Sequence, residues 1–314
     1  MHKLLAKENA VMGDPAATPQ PRNGLPLALA AYTIWGVFPL YLVLLNAVNP
    51  FALVGWRIIW TLPLCAAMVA VAGQWPAVKA ALRNRRVLLW MGASSVLISV
   101  NWLVYVVAVQ RGYFYAASLG YYINPLVNVL LGTIMLKERL GSLQWIAVGL
   151  AAVGVGVLAW EAEATLIISL VLAISFSGYG LIRKIIAVDA LPGLTIEVVL
   201  LALPAAIAIA VAPPGSASFG SSTSITLLLM GAGVMTAVPL LLFAAAARRM
   251  PYSALGFVQF IAPTIVFLLG MFVFDQPLNQ AQLVCFVFIW IAIALFCTDI
   301  LRRGNLARRG LSRL

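Results

Sequence analysis

Asn124 and Asn128 stand four residues apart in ASLGYYINPLVNVLLG (residues 117–132), a stretch that is otherwise almost wholly apolar. On a helix that spacing puts both carboxamides on one face, each offering a donor and an acceptor to a polar solute or a neighbouring helix. Pro125 between them removes a backbone donor and frees the carbonyl of Tyr121. Asn101 and Tyr105 share a face in the same way. Gln110 and Gln259 are further amides in apolar surroundings, and Tyr32, Trp35, Tyr41, Tyr121, Tyr122 and Tyr179 are the aromatics that accompany them. Such a set serves either as interhelical hydrogen bonds, worth roughly 0.6 kcal/mol each, or as the lining of a cavity.

Two ionisable residues, Arg57 and Glu197, also fall inside apolar runs. A charge in hydrocarbon costs on the order of 2.5–3.5 kcal/mol, so each is a functional candidate by default. Counted along the expected spans they lie roughly 14 Å apart across the bilayer, too far for a direct pair. Glu197 has Arg183 and Lys184 across its hairpin, so it is either a structural partner of those cations or a gating and proton-coupling carboxylate. Arg57 has no acidic partner at its depth and points to the substrate path or an outer gate. Other chemistry has no residues to perform it. The only histidine is His2, Asp14, Asp189, Asp275 and Asp299 lie in the tail, in loops or at a span end, and no GxxxxGK[ST] phosphate loop occurs. Neither catalysis, nor a metal site, nor a bound cofactor is expected.

These side chains must be carried by membrane helices. Of the 314 residues 63% are hydrophobic and 9% charged, with mean hydropathy +1.04. About 20 apolar residues cross roughly 30 Å of hydrocarbon, and ten such segments can be drawn. They run 24–45, 50–72, 87–109, 115–136, 142–160, 164–184, 193–212, 225–247, 253–274 and 280–301. Residues 1–23 read as a disordered leader rather than a signal peptide, and 302–314 as a basic tail. Cys65, Cys285 and Cys297 all fall within spans and are expected to pack rather than to form disulfides.

The net charge of +11 is not a nucleic-acid signal, because the basic residues collect in alternate loops. Lys79, Arg83, Arg85, Arg86, Lys137, Arg139, Arg183, Lys184, Arg248 and Arg249 share a side with both termini. Arg111 is alone on the other side, so both termini are expected in the cytoplasm.

Shifted by 138 residues, the sequence meets itself. Phe38 and Tyr41 fall on Phe176 and Tyr179, Arg111 on Arg249, Pro125 on Pro263, and Leu130, Leu131 and Gly132 on Leu268, Leu269 and Gly270. Five helices per copy is an odd number, so the copies 24–160 and 164–301 would be inverted relative to one another. That architecture exposes a midplane site to either side in turn. The proline and the LLG glycine, kept in both copies, read as a helix break and a close-packing position. Asn124 and Asn128 become Ala262 and Val266, so the amides are the one-sided chemical feature.

The segments AAYTIWGVFPLYLVLLNAVNPF, WRIIWTLPL, NWLVYVVAV, ASLGYYINPLVNVLLGTIMLKERL, SGYGLIRK, ALPGLTIE and TAVPLLLFAAAARRMPYSALGFVQFIAPTIVFLLG occur in this order between about residues 24 and 300. Together they resemble the RarD-type, EamA-related proteins of the drug/metabolite transporter superfamily. The resemblance implies an all-α, ten-helix, N-in and C-in inverted-repeat carrier of the bacterial inner membrane. It also implies a central cavity walled by the first four helices of each half. Matching motif positions place its site at Trp35, Tyr41, Arg57, Asn101, Tyr105, Asn124, Asn128, Tyr179, Arg183, Glu197 and Gln259. The chain departs from the family at Trp56, where histidine is common, and at Val43, where lysine is. The expected function is movement of a small organic metabolite or drug-like solute by alternating access without ATP. Proton coupling, if present, would pass through Glu197. The alternatives are a membrane-embedded binding or scaffold protein and an intramembrane enzyme.

Overall fold

The computed structural model describes residues 24–111, 114–161, 166–213, 217–273 and 280–311; the expected leader lies outside them. Twelve helices are present among these residues, and no β-strand. In chain order they are α1 (Leu25–Val43), α2 (Pro50–Val71), α3 (Trp75–Arg83), α4 (Arg85–Gln110), α5 (Phe114–Ile134) and α6 (Ser142–Glu161), followed by α7 (Leu166–Ile185), α8 (Ala190–Val211), α9 (Thr223–Arg249), α10 (Tyr252–Gln259), α11 (Ile261–Phe272) and α12 (Gln280–Leu311). Nine stretches of the described residues are long and apolar enough to cross a membrane, the pair α10–α11 counting as one. Helix α5, at 21 residues, is the fourth expected span. Helix α12 continues past the expected span end at 301 into the basic tail.

Two sequence expectations need correction. Pro125 does not break its helix, since α5 runs unbroken through it. The counterpart run breaks instead at Phe260, between α10 and α11, three residues before Pro263. A proline in the first turn has no donor to lose, so Pro263 sits just inside the new helix without cost. The seventh span begins at Ala190 rather than at 193, because Pro192 and Gly193 are accommodated in the first turn of α8. Of the glycines in α6, Gly154 is the one at a close approach: a Cβ there would stand 2.8 Å from Phe288 Cβ and 3.1 Å from the Cys285 carbonyl of α12. Gly149 and Gly156 face open space.

Side-chain contacts gather the basic loops at one end of the bundle. Lys184 at the end of α7 reaches the last carbonyls of α9. Arg248 bonds Asp189 before α8 at 2.6 Å, and Glu138 after α5 meets the start of α10. Helix α3, unforeseen in the sequence, lies against the same end and buries Val78 and Ala81 among Val69, Ile186 and Ile196. At the opposite end Ala217 donates its N–H to the Ala47 carbonyl, and Phe219 stacks on Trp56 at 4.3 Å.

Helix α12 packs chiefly on α6 and also meets α5, α10 and α11 through Phe286 and Phe296, while α2, α8, α9, α1, α7, α5, α4, α10 and α11 form the central body. The largest apolar core joins α1, α2, α4, α7, α8 and α9, and a second joins α5, α6, α10 and α12. Outward faces carry Leu, Ile, Val and Trp side chains, such as Leu203, Ile167 and Trp160, as expected where lipid is the solvent.

Candidate functional site

Polar side chains concentrate along the axis of the central body in two layers. In the layer away from the basic end, Arg57 is buried, at 4% exposure. Its Nε donates to Thr236 Oγ1 of α9 at 3.0 Å. The guanidinium lies between two rings, 5.0 Å from the centroids of both Phe38 and Trp102, an arrangement in which the ring quadrupoles attract the cation. Thr61, one turn on, donates to the Arg57 carbonyl at 2.7 Å and lies 3.1 Å from the Gly233 carbonyl, joining α2 to α9. Beside this group a cavity of ≈ 40 Å³ is lined by Trp35, Phe38, Tyr105, Tyr121, Ala262, Pro263 and Val266. Tyr105 and Tyr121 meet edge to face across α4 and α5, with ring centroids 5.3 Å apart. Tyr41 donates its hydroxyl to the Leu228 carbonyl of α9.

The layer nearer the basic end is made of amides, tyrosines and an ion pair. Asn128 Nδ2 donates to Gln259 Oε1 at 2.8 Å, and Tyr32 donates to the same oxygen at 3.5 Å. Ser177 of α7 lies 3.3 Å from Asn124 Oδ1 and donates to it. Asn124 Nδ2 and Asn128 Oδ1 are both buried without a partner of their own, an arrangement complementary to a group that both accepts and donates. Tyr179 stacks on Phe243, which also meets Tyr32, Trp35 and Phe176. Glu197 accepts from Ser94 of α4 at 2.5 Å and lies 3.7 Å from Arg183, whose side chain is fully buried. Gly193 leaves the room Arg183 fills, since any Cβ there would overlap the guanidinium.

The earlier start of α8 changes the relation between the two buried charges. Arg57 stands eight residues past its N-cap Asn49, and Glu197 eight residues past its N-cap Asp189. Each is therefore about 12 Å from its own end of the bundle, and their separation along the axis shrinks to roughly 6 Å. They nevertheless do not pair: Arg57 takes a hydroxyl and two aromatic rings, Glu197 a hydroxyl and Arg183.

The structure thus brings Trp35 and Tyr105 to the cavity with Arg57 and Tyr41 beside it. Asn124, Asn128, Gln259, Tyr179 and Glu197 form the layer beneath. Asn101 does not face the cavity: its Nδ2 donates to the Leu172 carbonyl at 2.9 Å and to Ser175 Oγ at 3.1 Å, tying α4 to α7. The side chain of Gln110 lies outside the described residues. The sequence reading missed Thr236, Ser94, Ser177 and Glu138. Their only sequence signal was polarity in or beside apolar runs, which the packing serines and threonines of the same runs share.

A bundle of membrane-length helices with buried charges, amides and tyrosines at its centre defines a multi-pass membrane protein with a central polar site. Residues 22–160 match the EamA-like transporter family. An uncharacterized transporter of Pseudomonas aeruginosa is 44% identical over 288 residues, 90% of this chain and 96% of that protein. Protein RarD of Salmonella typhi is 43% identical over 282 residues, 89% of this chain and 96% of that protein. A crystal structure of a protein only 21% identical shares the fold, with a TM-score of 0.68 over 87% of this chain and 96% of its own. The chain belongs to the EamA-like transporter family, as a RarD-type member of the drug/metabolite transporter superfamily. It is a membrane transporter.

Proposed function

We propose that the protein is a secondary carrier of the bacterial inner membrane, moving a small organic solute by alternating access without ATP. The site lies between the two halves, with Trp35, Tyr41, Arg57, Tyr105, Asn124, Asn128, Tyr179, Glu197 and Gln259 as its substrate or gating groups. Asn101 holds α4 against α7 at its edge. The observation that carries this reading is the image relation among the packed helix pairs. Arg57 and Glu197 each stand eight residues past the N-cap of α2 and α8, one held by a hydroxyl of α9 and the other by a hydroxyl of α4, although in the 138-residue register Arg57 falls on Thr195. The major packed pairs fall into image sets: α2 with α8 and α6 with α12 are their own images. The α5–α7 pair answers α1–α11, α4–α7 answers α1–α9, and α2–α9 answers α4–α8. Two five-helix halves related by inversion have two equivalent ways of packing, one open to each side.

The charge bias of the loops supports an orientation with the basic end, and both termini, in the cytoplasm. Arg57 favours a solute with an anionic group, and the surrounding rings favour one with a flat apolar body. Glu197 is the carboxylate through which protons would couple.

The test is flux. Purified protein is screened against a metabolite panel for compounds that raise its unfolding temperature, and each hit is assayed for uptake or exchange in proteoliposomes lacking ATP. Carrier function requires flux for at least one stabilising compound. Stabilisation without flux for every hit would assign the chain to the binding or scaffold class instead.

A further inference from the structure

The carboxylate of Glu138 lies in the loop after α5 and makes three contacts with the first turn of α10. It accepts from the backbone N–H of Tyr252 at 2.6 Å, from the backbone N–H of Ser253 at 2.9 Å and from the Ser253 hydroxyl at 2.7 Å. These are charge-assisted bonds to donors that the helix itself leaves unsatisfied. From the other side of the same turn, Lys184 Nζ of α7 donates to the Ala247 carbonyl at 3.0 Å and the Met250 carbonyl at 2.7 Å, among the last acceptors of α9. The α9–α10 turn is therefore gripped at both of its helix ends, by an anion at an N-terminus and a cation at a C-terminus, the favourable sign in each case.

Three further features converge on the turn. A Cβ on Gly24, before α1, would stand 3.0 Å from the Ala246 carbonyl and 3.3 Å from Met250 Cβ. A Cβ on Gly132 would stand 2.8 Å from the Glu138 carboxylate itself. Lys137 takes φ 56°, left-handed backbone that L residues rarely adopt, at the bend that turns Glu138 toward α10. Directly inside the turn, Tyr252 donates its hydroxyl to the Ser177 carbonyl of α7 at 2.6 Å. Tyr252, Phe243, Tyr179, Tyr32, Asn128 and Gln259 there are no more than 2% exposed. The cavity of Trp35, Tyr105 and Tyr121 lies beyond this layer: along α1 Trp35 follows Tyr32, along α10–α11 Pro263 follows Gln259, and along α5 Tyr121 precedes Asn128.

We propose that Glu138 and Lys184 form the latch of the gate at the basic end, holding α5 and α7 against the α9–α10 turn while the central cavity is shut off from that side. This rests on the alternating-access reading above. The repeat makes the latch one-sided, because the 138-residue shift sets Glu138 against Gln276 and Ser253 against Tyr115. In that register a neutral amide stands in place of the carboxylate and a bulky phenol in place of the serine hydroxyl. Breaking the latch shifts the protein toward the conformation open at the basic end, with no change to any group that lines the cavity.

The experiment uses full-length protein in sealed vesicles of both orientations, with Cys65, Cys285 and Cys297 replaced by Ala. One reporter, Ser177→Cys, lies beneath the latch and is read by an impermeant maleimide applied to the basic end. A second, Val266→Cys, lines the cavity and is read from the opposite side. Glu138→Gln is expected to raise labelling of the first on the order of tenfold and to lower labelling of the second. Glu138→Asp should restore most of the latch, and Ser253→Ala, which removes one contact and leaves the fold's charges untouched, should give an intermediate shift. Unchanged labelling in Glu138→Gln would overturn the proposal. So would a rise at both reporters, which means a loosened structure rather than a shifted equilibrium. Flux of a stabilising compound is measured in parallel. Reciprocal labelling without flux in any variant, wild type included, upholds the latch and removes the carrier reading, whereas wild-type flux with unresponsive labelling removes the latch alone.

Discussion

Arg57 is held by geometry as much as by charge. A lysine would keep the charge yet lose both the Nε–H bond to Thr236 and the flat face between Phe38 and Trp102. Arg57→Lys should therefore lower flux on the order of tenfold or more, measured as initial rate in proteoliposomes with the stabilising compound; an unaltered rate would take Arg57 out of the site. Glu197 poses a different question, since its contact with Arg183 is buried on both sides. Glu197→Gln leaves that guanidinium without its counter-charge, and should cost about 3 kcal/mol or more of stability. The check is thermal unfolding of the single variant beside the double Arg183→Met, Glu197→Gln, which should recover part of the loss. If Glu197 also couples protons, Glu197→Gln flattens the pH profile of transport, and an unchanged profile makes the carboxylate purely structural. Asn101 and Asn124 look alike as letters in an apolar run. Only their neighbours tell them apart: Asn101 donates both of its bonds to α7, while Asn124 keeps an unpartnered buried N–H.

Among the helices, contact is set by where side chains are missing. A Cβ on Gly233 of α9 would come within 2.5 Å of the Trp60 backbone of α2. One on Gly55 of α2 would lie 2.6 Å from Ile209 of α8 and 2.9 Å from the Ala205 carbonyl. Neither backbone can yield without separating helices that carry Arg57 and Glu197. Gly233→Ala is expected to cost about 1–3 kcal/mol and to lower the unfolding temperature. Gly149→Ala, facing open space on α6, should change it little and serves as the control. A glycine pattern alone could not separate these cases, because the letters are identical and only the partner's distance differs. The same holds for proline. Pro125 and Pro263 are repeat equivalents, yet one lies within an unbroken helix and the other opens a new one.

For the whole molecule, the proposed inverted repeat implies an asymmetry laid over a symmetric frame. The proposed repeat pairs the helices of the two halves but not their polar groups: Arg57 falls on Thr195, Asn124 on Ala262 and Glu138 on Gln276. A carrier built this way needs only a few differential contacts to bias its equilibrium, since a shift from mostly closed to mostly open takes a few kcal/mol. A stabilising compound should accordingly slow maleimide labelling at Val266→Cys, which borders the cavity, more than at a lipid-facing cysteine such as Cys297. Equal protection at both would mean that the compound binds elsewhere.

Composition and hydropathy by themselves determined that this chain lives in a bilayer, roughly where its helices run, and which few polar residues had to be accounted for. Those are local properties, because the cost of a charge or an open backbone group in hydrocarbon is incurred residue by residue. The motifs determined the family. Tertiary structure alone decided which polar residue meets which: that α8 begins early enough to bring Glu197 to the depth mirrored by Arg57, that Asn101 ties helices while Asn124 and Asn128 face the centre, and that a loop glutamate seizes the start of a distant helix. Glu138 and Ser253 are 115 residues apart in sequence. Hydrogen bonds and packing across such separations depend on distances of a few tenths of an ångström, which no spacing along the chain encodes.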